Sequence, residues 1–241
     1  PNDRLWALIR DGLRARDIAA PDSLIRGEDA YWRAWEAPDL TLSQTCGYPF
    51  RTRLQGHVTY VGTQDFGVEG CMPGHYRSVF VARADDPRQT LAEFDGARFA
   101  YNEPLSQSGW AAPQTHAAML GIHLPPALQT GGHRLSAQAV AAGRADIAAL
   151  DAVTFALLRP IEPAVARLKE IARTDPTPGL PYVTAPGIDP DPLFAAVCDA
   201  IATLDPDDRA TLHLRGCVRI PVEAYLAVPN PPAPDQIAGF T

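Results

Sequence analysis

"RFAYNEPLSQSGW", residues 98–110, runs an apolar stretch up to Tyr101 and then sets Ser106, Ser108 and Gly109 just ahead of a helical pattern. A strand that feeds a helix through a Ser-Xaa-Ser-Gly turn leaves backbone N–H groups unpartnered at the positive end of the helix dipole. Three readings compete for this turn. The simplest is a helix cap, with Ser106 or Ser108 accepting from a backbone N–H. The second is an anion cradle, because such a helix start binds phosphate, carboxylate or a similar oxyanion without a formal positive charge. The third, a nucleophile turn, requires Gly-Xaa-Ser-Xaa-Gly, and "PLSQSGW" lacks the first glycine. Taken alone, the segment favours the cap.

Working outward, the pattern alternates. A strand over 97–101 leads to a helix over 110–120, and a glycine-rich turn at 130–132 opens a helix over 133–142. "ADIAALD" reads as a buried strand over 145–151, followed by the helical segment "AVTFALL". Strands alternating with helices predict α/β architecture with a parallel sheet. Upstream, 3–16 carries a helical stripe of Leu5, Leu8, Ile9 and Leu13, and strands are expected over 40–43, 57–63 and 76–83. Downstream, "DPLFAAVCDAIATL" is an amphipathic helix with Asp189 or Asp191 near its start, and the proline-rich "VPNPPAP" is predicted to run along the surface without helix.

Composition narrows the function classes. The 241 residues suffice for one large domain or two lobes, and 46% hydrophobic with 20% charged residues is ordinary for a globular protein. No apolar run reaches the roughly 18 residues of a membrane span. A net charge of −7 without a Lys/Arg cluster argues against nucleic acid, whose binding rests on phosphate neutralisation. Cys46, Cys71, Cys198 and Cys217 have no CxxC spacing, so no zinc or redox motif is expected; their even number permits two disulfides, and buried free thiols are the reading preferred here. His57, His75, His116, His123 and His213 show no metal-ligand spacing, and Cys71 with His75 is too sparse for a metal site. No cofactor is expected.

Two further turns could carry chemistry. In "QTGGHRLSAQAVAAGRADIAALD", Thr130, Gly131, Gly132, His133 and Ser136 open a helix, whose dipole would favour a neutral His133 imidazole. The same stretch ends on Asp151, at the carboxyl end of a strand, where open α/β sheets place their ligands and where an aspartate can equally cap the next helix. In "SQTCGYP", Gln44, Thr45 and Tyr48 follow a strand and flank Gly47. Each turn is a weak signal separately. Their order along the chain is more specific.

That order resembles a known family. "DLTLSQTCGYPF", "YRSVFVAR", "LAEFDGARFAYNEPLSQSG", "TGGHRLSAQAVAAGRADIAALDAVTFALL" and "TPGLPYVT", across 38–185, are similar to the PhnD-like phosphate/phosphite/phosphonate-binding components of ABC transporters. The resemblance implies a type II periplasmic-binding-protein fold, with two α/β lobes joined by two crossover strands and a ligand cleft between them. Lobe one is expected at 1–80 plus 182–241 and lobe two at 81–181, with crossovers near "SVFVAR" and "GLPYVT" and hinge closure on ligand. The family's Ser-Thr-Ser-Gly turn, which wraps phosphonate oxygens, corresponds to Ser106, Gln107, Ser108 and Gly109, and its ligand histidine to His133. A lobe-one aromatic near the ligand corresponds to Tyr48, and an acidic residue that reads an amino group to Asp151. Gln107 in place of the middle threonine, and a start almost at the first helix, depart from the family pattern.

The function implied is a solute-binding component that captures a small anionic ligand and delivers it to a membrane permease, with no nucleic acid partner and no membrane span. Its expected location is periplasmic, although no signal peptide is visible and cytoplasm is the alternative. Two other functions stand beside it. One is a cofactor-less enzyme on the same scaffold, of dehydratase or precursor-synthase type, for which His133 with Asp151 is the one acid/base pair to nominate. The other is a sensing module that reports ligand closure to a membrane partner.

Overall fold

The structure is a computed structural model that describes residues 1–27 and 30–237. It divides into two compact units, Pro1–His75 with Pro178–Ala227, and Tyr76–Thr177 with the segment from Val228 onward. The chain therefore changes unit a few residues before each expected crossover. Ser78–Arg83 and Pro181–Thr184 are sheet strands inside their respective units rather than connections between them. The proline-rich tail also departs from the expectation, which gave 182–241 to lobe one. It belongs with the second unit, where the Trp110 indole N–H donates to the Pro232 carbonyl at 3.2 Å. Residues 238–241 lie outside the described residues.

The first unit is built on a four-stranded sheet in the order Ser43–Gln44, Pro181–Thr184, Thr59–Asp65, Gly216–Val218, with every neighbouring pair antiparallel. Alternation along its strands sends successive side chains to opposite faces. Val61 and Tyr182 go to one core, and Tyr60 and Val183 to the other. On the first face, Leu5, Trp6, Ile9 and Leu13 form the buried stripe of helix Asn2–Arg14, at the spacing the sequence predicts. That stripe shares a core with Leu193, Ala196, Val197 and Ile201 of helix Pro190–Thr203. Asp189 starts the latter helix by accepting from the Asp191 N–H, with proline in the first turn. On the second face, Tyr60, Thr63 and Tyr225 share hydroxyl hydrogen bonds of 2.8 and 2.6 Å. Burial drives the Tyr225 phenol well above its ordinary pKa.

The second unit holds a five-stranded sheet in the order Pro126–Gln129, Phe99–Tyr101, Ile147–Asp151, Ser78–Arg83, Leu168–Arg173. Phe99–Tyr101 pairs parallel with both of its neighbours, as the alternating pattern predicts. Ser78–Arg83 is the exception to a parallel sheet, because it runs antiparallel to both strands beside it. Leu168–Arg173 escapes the periodicity reading: it is an edge strand with Lys169, Glu170 and Arg173 among six residues and a half-exposed face. Helices cover the sheet, and Ala137, Val140, Phe155 and Leu158 pack on Val79, Val81, Ala100, Ala148 and Leu150.

Leu193 is 1% exposed at the helix–helix–sheet seam of the first unit. Leu193→Ala should destabilise that unit by about 2–5 kcal/mol through lost burial and a residual cavity. Urea unfolding of the variant reads this directly. A change within error would mean that the seam repacks freely.

Candidate ligand site

Strand direction assembles the polar residues of the second unit. Phe99–Tyr101, Pro126–Gln129 and Ile147–Asp151 are parallel, so their carboxyl ends share one edge of the sheet. Asn102, Thr130 and Asp151 stand at or just beyond those ends. Ser78 opens the one antiparallel strand and is in register with Asp151, so it reaches the same edge from the opposite direction.

Two turns are tied together there by backbone hydrogen bonds. The Thr130 N–H donates to the Tyr101 carbonyl at 2.8 Å, and the Gly131 N–H to the Asn102 carbonyl at 2.9 Å. Gly131 has φ +85°, a conformation that glycine adopts without strain. Thr130 turns its hydroxyl inward, to the Tyr101 and Gly132 carbonyls and to Ser136 Oγ at 2.7 Å, and so braces its own turn.

The opening turn, Ser106–Gly109, is almost wholly buried. Ser106 caps it by accepting from the Gly109 N–H at 3.0 Å, so the cap reading holds for this serine. The first turn is wide: the Ala111 N–H donates to the Ser106 carbonyl five residues back, before helix Ala112–Met119 continues. A β-carbon on Gly109 would lie 1.8 Å from Asn102 Oδ1, so the Asn102 side chain fills the space that the glycine leaves open. Gln107 directs its amide to Thr177 Oγ1 at 3.5 Å.

Ser108 does something different. Its hydroxyl stands 2.9 Å from His133 Nε2, joining the two turns through side chains. Its carbonyl accepts from Ser78 Oγ at 2.8 Å, and the Ser78 N–H in turn donates to Thr174 Oγ1. Asp151, 5% exposed, caps helix Ala152–Leu158 by accepting from the Thr154 N–H at 2.6 Å. Its charge is also felt at His133. Burial dominates both groups and favours their uncharged forms: the imidazole pKa is pushed down and the carboxyl pKa up, each partly offset by the other. His133 Nδ1 feels the Ala149 carbonyl without an in-line hydrogen bond.

The structure thus brings Ser106, Gln107, Ser108, Gly109, Thr130, His133 and Asp151 into one unit, with Ser108 and His133 in direct contact. Gln44, Thr45 and Tyr48 belong to the first unit, where Gln44 donates to Gln64 Oε1 at 2.8 Å and Thr45 is buried. The Arg51 guanidinium lies 4.8 Å from the Tyr48 ring centre. Sequence reasoning missed Ser78, Asn102 and Thr174. Asn102 carried a local signal, a polar residue directly after a strand. Ser78 carried none, since its place at the edge depends on the strand's running antiparallel. Among the described residues no cluster of three or more His, Cys, Asp or Glu could hold a metal.

A mixed α/β architecture of this kind, with polar turns at the carboxyl edge of a sheet, is that of the type II periplasmic binding proteins. Residues 37–220 match the family described as ABC transporter, phosphonate, periplasmic substrate-binding protein, and the chain belongs to that family. Its role is accordingly that of a solute-binding component. The fold is similar to PhnD1 from Prochlorococcus marinus in complex with methylphosphonate (TM-score 0.71, 17% identity, covering 92% of this chain and 88% of that one). It is also similar to the binding-protein component of an ABC phosphonate transporter from Pseudomonas aeruginosa (TM-score 0.68, 16%, 89% and 75%). MatC from Rhodopseudomonas palustris with bound malate is another structural neighbour (TM-score 0.62, 16%, 94% and 92%). No curated protein matches in sequence.

The depressed imidazole pKa makes a signed prediction. An unfolded chain protonates His133 as pH falls through about 6.5, whereas the folded chain resists, so stability should fall as pH drops below that value. His133→Gln should flatten the fall between about pH 7 and pH 5, measured by urea unfolding at each pH. An identical slope in the variant would mean that the His133 imidazole titrates alike in the folded and unfolded chain.

Proposed function

We propose that this chain captures a small tetrahedral oxyanion of the phosphonate or phosphate class on the turn Ser106–Gly109, with His133 and Asp151 completing the site. The observation that carries the reading is the Ser108–His133 contact of 2.9 Å at a helix start on the carboxyl edge of the sheet. A hydroxyl and an imidazole already paired can each turn one hydrogen bond to an oxyanion, beside the N–H groups of the helix start. A neutral His133 donates from one ring nitrogen and accepts at the other, which suits a partly protonated anion. Asp151, when ionised, accepts only, so it favours ligands that offer an amine or hydroxyl and disfavours a bare dianion.

Family membership supports delivery of the ligand to a membrane permease of an ABC importer, from a periplasmic location. Among the described residues no helix is long and apolar enough to cross a membrane. Binding rather than catalysis is favoured by the geometry of the three polar residues. His133 Nδ1 has no hydrogen-bond partner, so Ser108, His133 and Asp151 are not linked by hydrogen bonds as a proton relay requires.

Ser108→Ala should weaken binding roughly ten- to hundred-fold, about 1.5–3 kcal/mol, while the backbone donors keep some affinity. Calorimetry with inorganic phosphate, methylphosphonate and an aminoalkylphosphonate tests this. Wild-type affinity in the variant would leave Ser108 a structural brace only.

The same titrations on Asp151→Asn should shift selectivity toward more highly charged anions. Lower stability with unchanged selectivity would reduce Asp151 to its capping role. Mass spectrometry of each ligand after long incubation should find it unaltered; turnover that vanishes in His133→Ala would instead establish an enzyme.

A further inference from the structure

All four cysteines are only partly buried, rather than fully buried as the composition suggests, and Cys198 and Cys217 are free thiols. Two of them share a seam in the first unit. Cys198 lies on helix Pro190–Thr203, and its thiol donates to the Cys217 carbonyl at 3.8 Å. Cys217 is the central residue of strand Gly216–Val218, which ends the order of the four-stranded sheet and is held by its pairing with Thr59–Asp65. Its sulfur points toward the same helix. A β-carbon placed on Gly62 would meet the Phe194 ring at 2.5 Å and Cys217 Sγ at 3.3 Å, and Phe194 stands one turn before Cys198.

We propose that Cys198 and Cys217 are a disulfide-forming pair that, when oxidised, ties the edge strand Gly216–Val218 to helix Pro190–Thr203. The oxidant is a disulfide of the kind an oxidising compartment supplies. The Cys198 thiolate attacks one sulfur of that disulfide and expels a thiolate, forming a mixed disulfide. The Cys217 thiolate then attacks Cys198 Sγ and expels the second thiolate. One disulfide forms in the protein, the external disulfide is reduced to two thiols, and the two protein protons pass to the departing thiolates. Cys198 is the first attacker because burial raises the Cys217 thiol further. The bond would close the segment 199–216, which contains helix Pro206–Thr211, and so restrain the unfolded chain as well as the sheet edge.

The test incubates the native full chain with oxidised glutathione at mildly alkaline pH, followed by alkylation, intact mass measurement and peptide mapping without reductant. The expected result is a mass loss of about 2 Da, two alkylatable thiols instead of four, and one linked pair of peptides carrying Cys198 and Cys217. Thermal melting should rise by roughly 5–10 °C on oxidation and return with dithiothreitol. Cys198→Ser and Cys217→Ser should each abolish the link and the shift. Four alkylatable thiols after oxidation, a stable glutathione adduct without closure, or a link through Cys46 or Cys71 would overturn the pairing. Ligand binding enters none of these readouts, so they stand or fall apart from the anion-site reading.

Discussion

Strand direction is the constraint on which the second unit depends. Phe99–Tyr101 lies between two parallel partners, and parallel pairing brings the carboxyl ends of consecutive strands to one edge. Each strand must then release the chain into a turn at that edge before a helix carries it back. Turns of this kind hold unsatisfied N–H groups and short polar side chains, because helix starts require them. The polar edge is thus a by-product of the parallel topology before it is a site. Inserting the one antiparallel strand adds a group that a purely parallel sheet would not supply, the Ser78 hydroxyl on the Ser108 carbonyl.

Burial then decides how these groups behave. Ser106, Ser108 and Asp151 are each no more than 5% exposed, and a polar group removed from water costs about 1–3 kcal/mol when unpaired. Ser106 and Asp151 are satisfied by capping their own helices. Ser108 is satisfied by a ring nitrogen that can turn elsewhere, and His133 keeps its other nitrogen without an in-line partner. Burial moves the imidazole pKa down and the carboxyl pKa up, so each group is biased toward its uncharged form.

The first unit shows the same economy in another form. Its antiparallel sheet divides its side chains between two cores, with an irregularity in register at Val61, and a hydroxyl network of Tyr60, Thr63 and Tyr225 occupies one of them. Tyr225 arrives from a short helix near the end of that unit's second segment, and this places a late part of the chain against an early strand. Beyond it the chain leaves for the second unit, where the buried Trp110 holds Pro232. No local pattern in "VPNPPAP" announces that destination, since prolines exclude helix without choosing a partner.

What the sequence determined by itself is what local physics controls. The stripe of Leu5, Ile9 and Leu13, the buried run ending at Asp151 and the helix "AVTFALL" follow from periodicity, and helix starts near Ser106 or Ser108, near Asp151 and near Asp189 or Asp191 were legible because short polar side chains satisfy free N–H groups; the structure chose Ser106, Asp151 and Asp189 as the caps. The order of the three polar turns was legible for the same reason, while the family was seen only as a resemblance of the motifs that carry those turns. Tertiary structure alone decided the rest. Leu168–Arg173 is a strand because a neighbour offers it a ladder, despite its charges. Ser78 reaches the edge only because its strand runs against the others. Ser108 meets His133, 25 positions away, because two strands are parallel neighbours. Contacts of that range depend on which strands pair and in what direction, and neither periodicity nor capping chemistry encodes that choice.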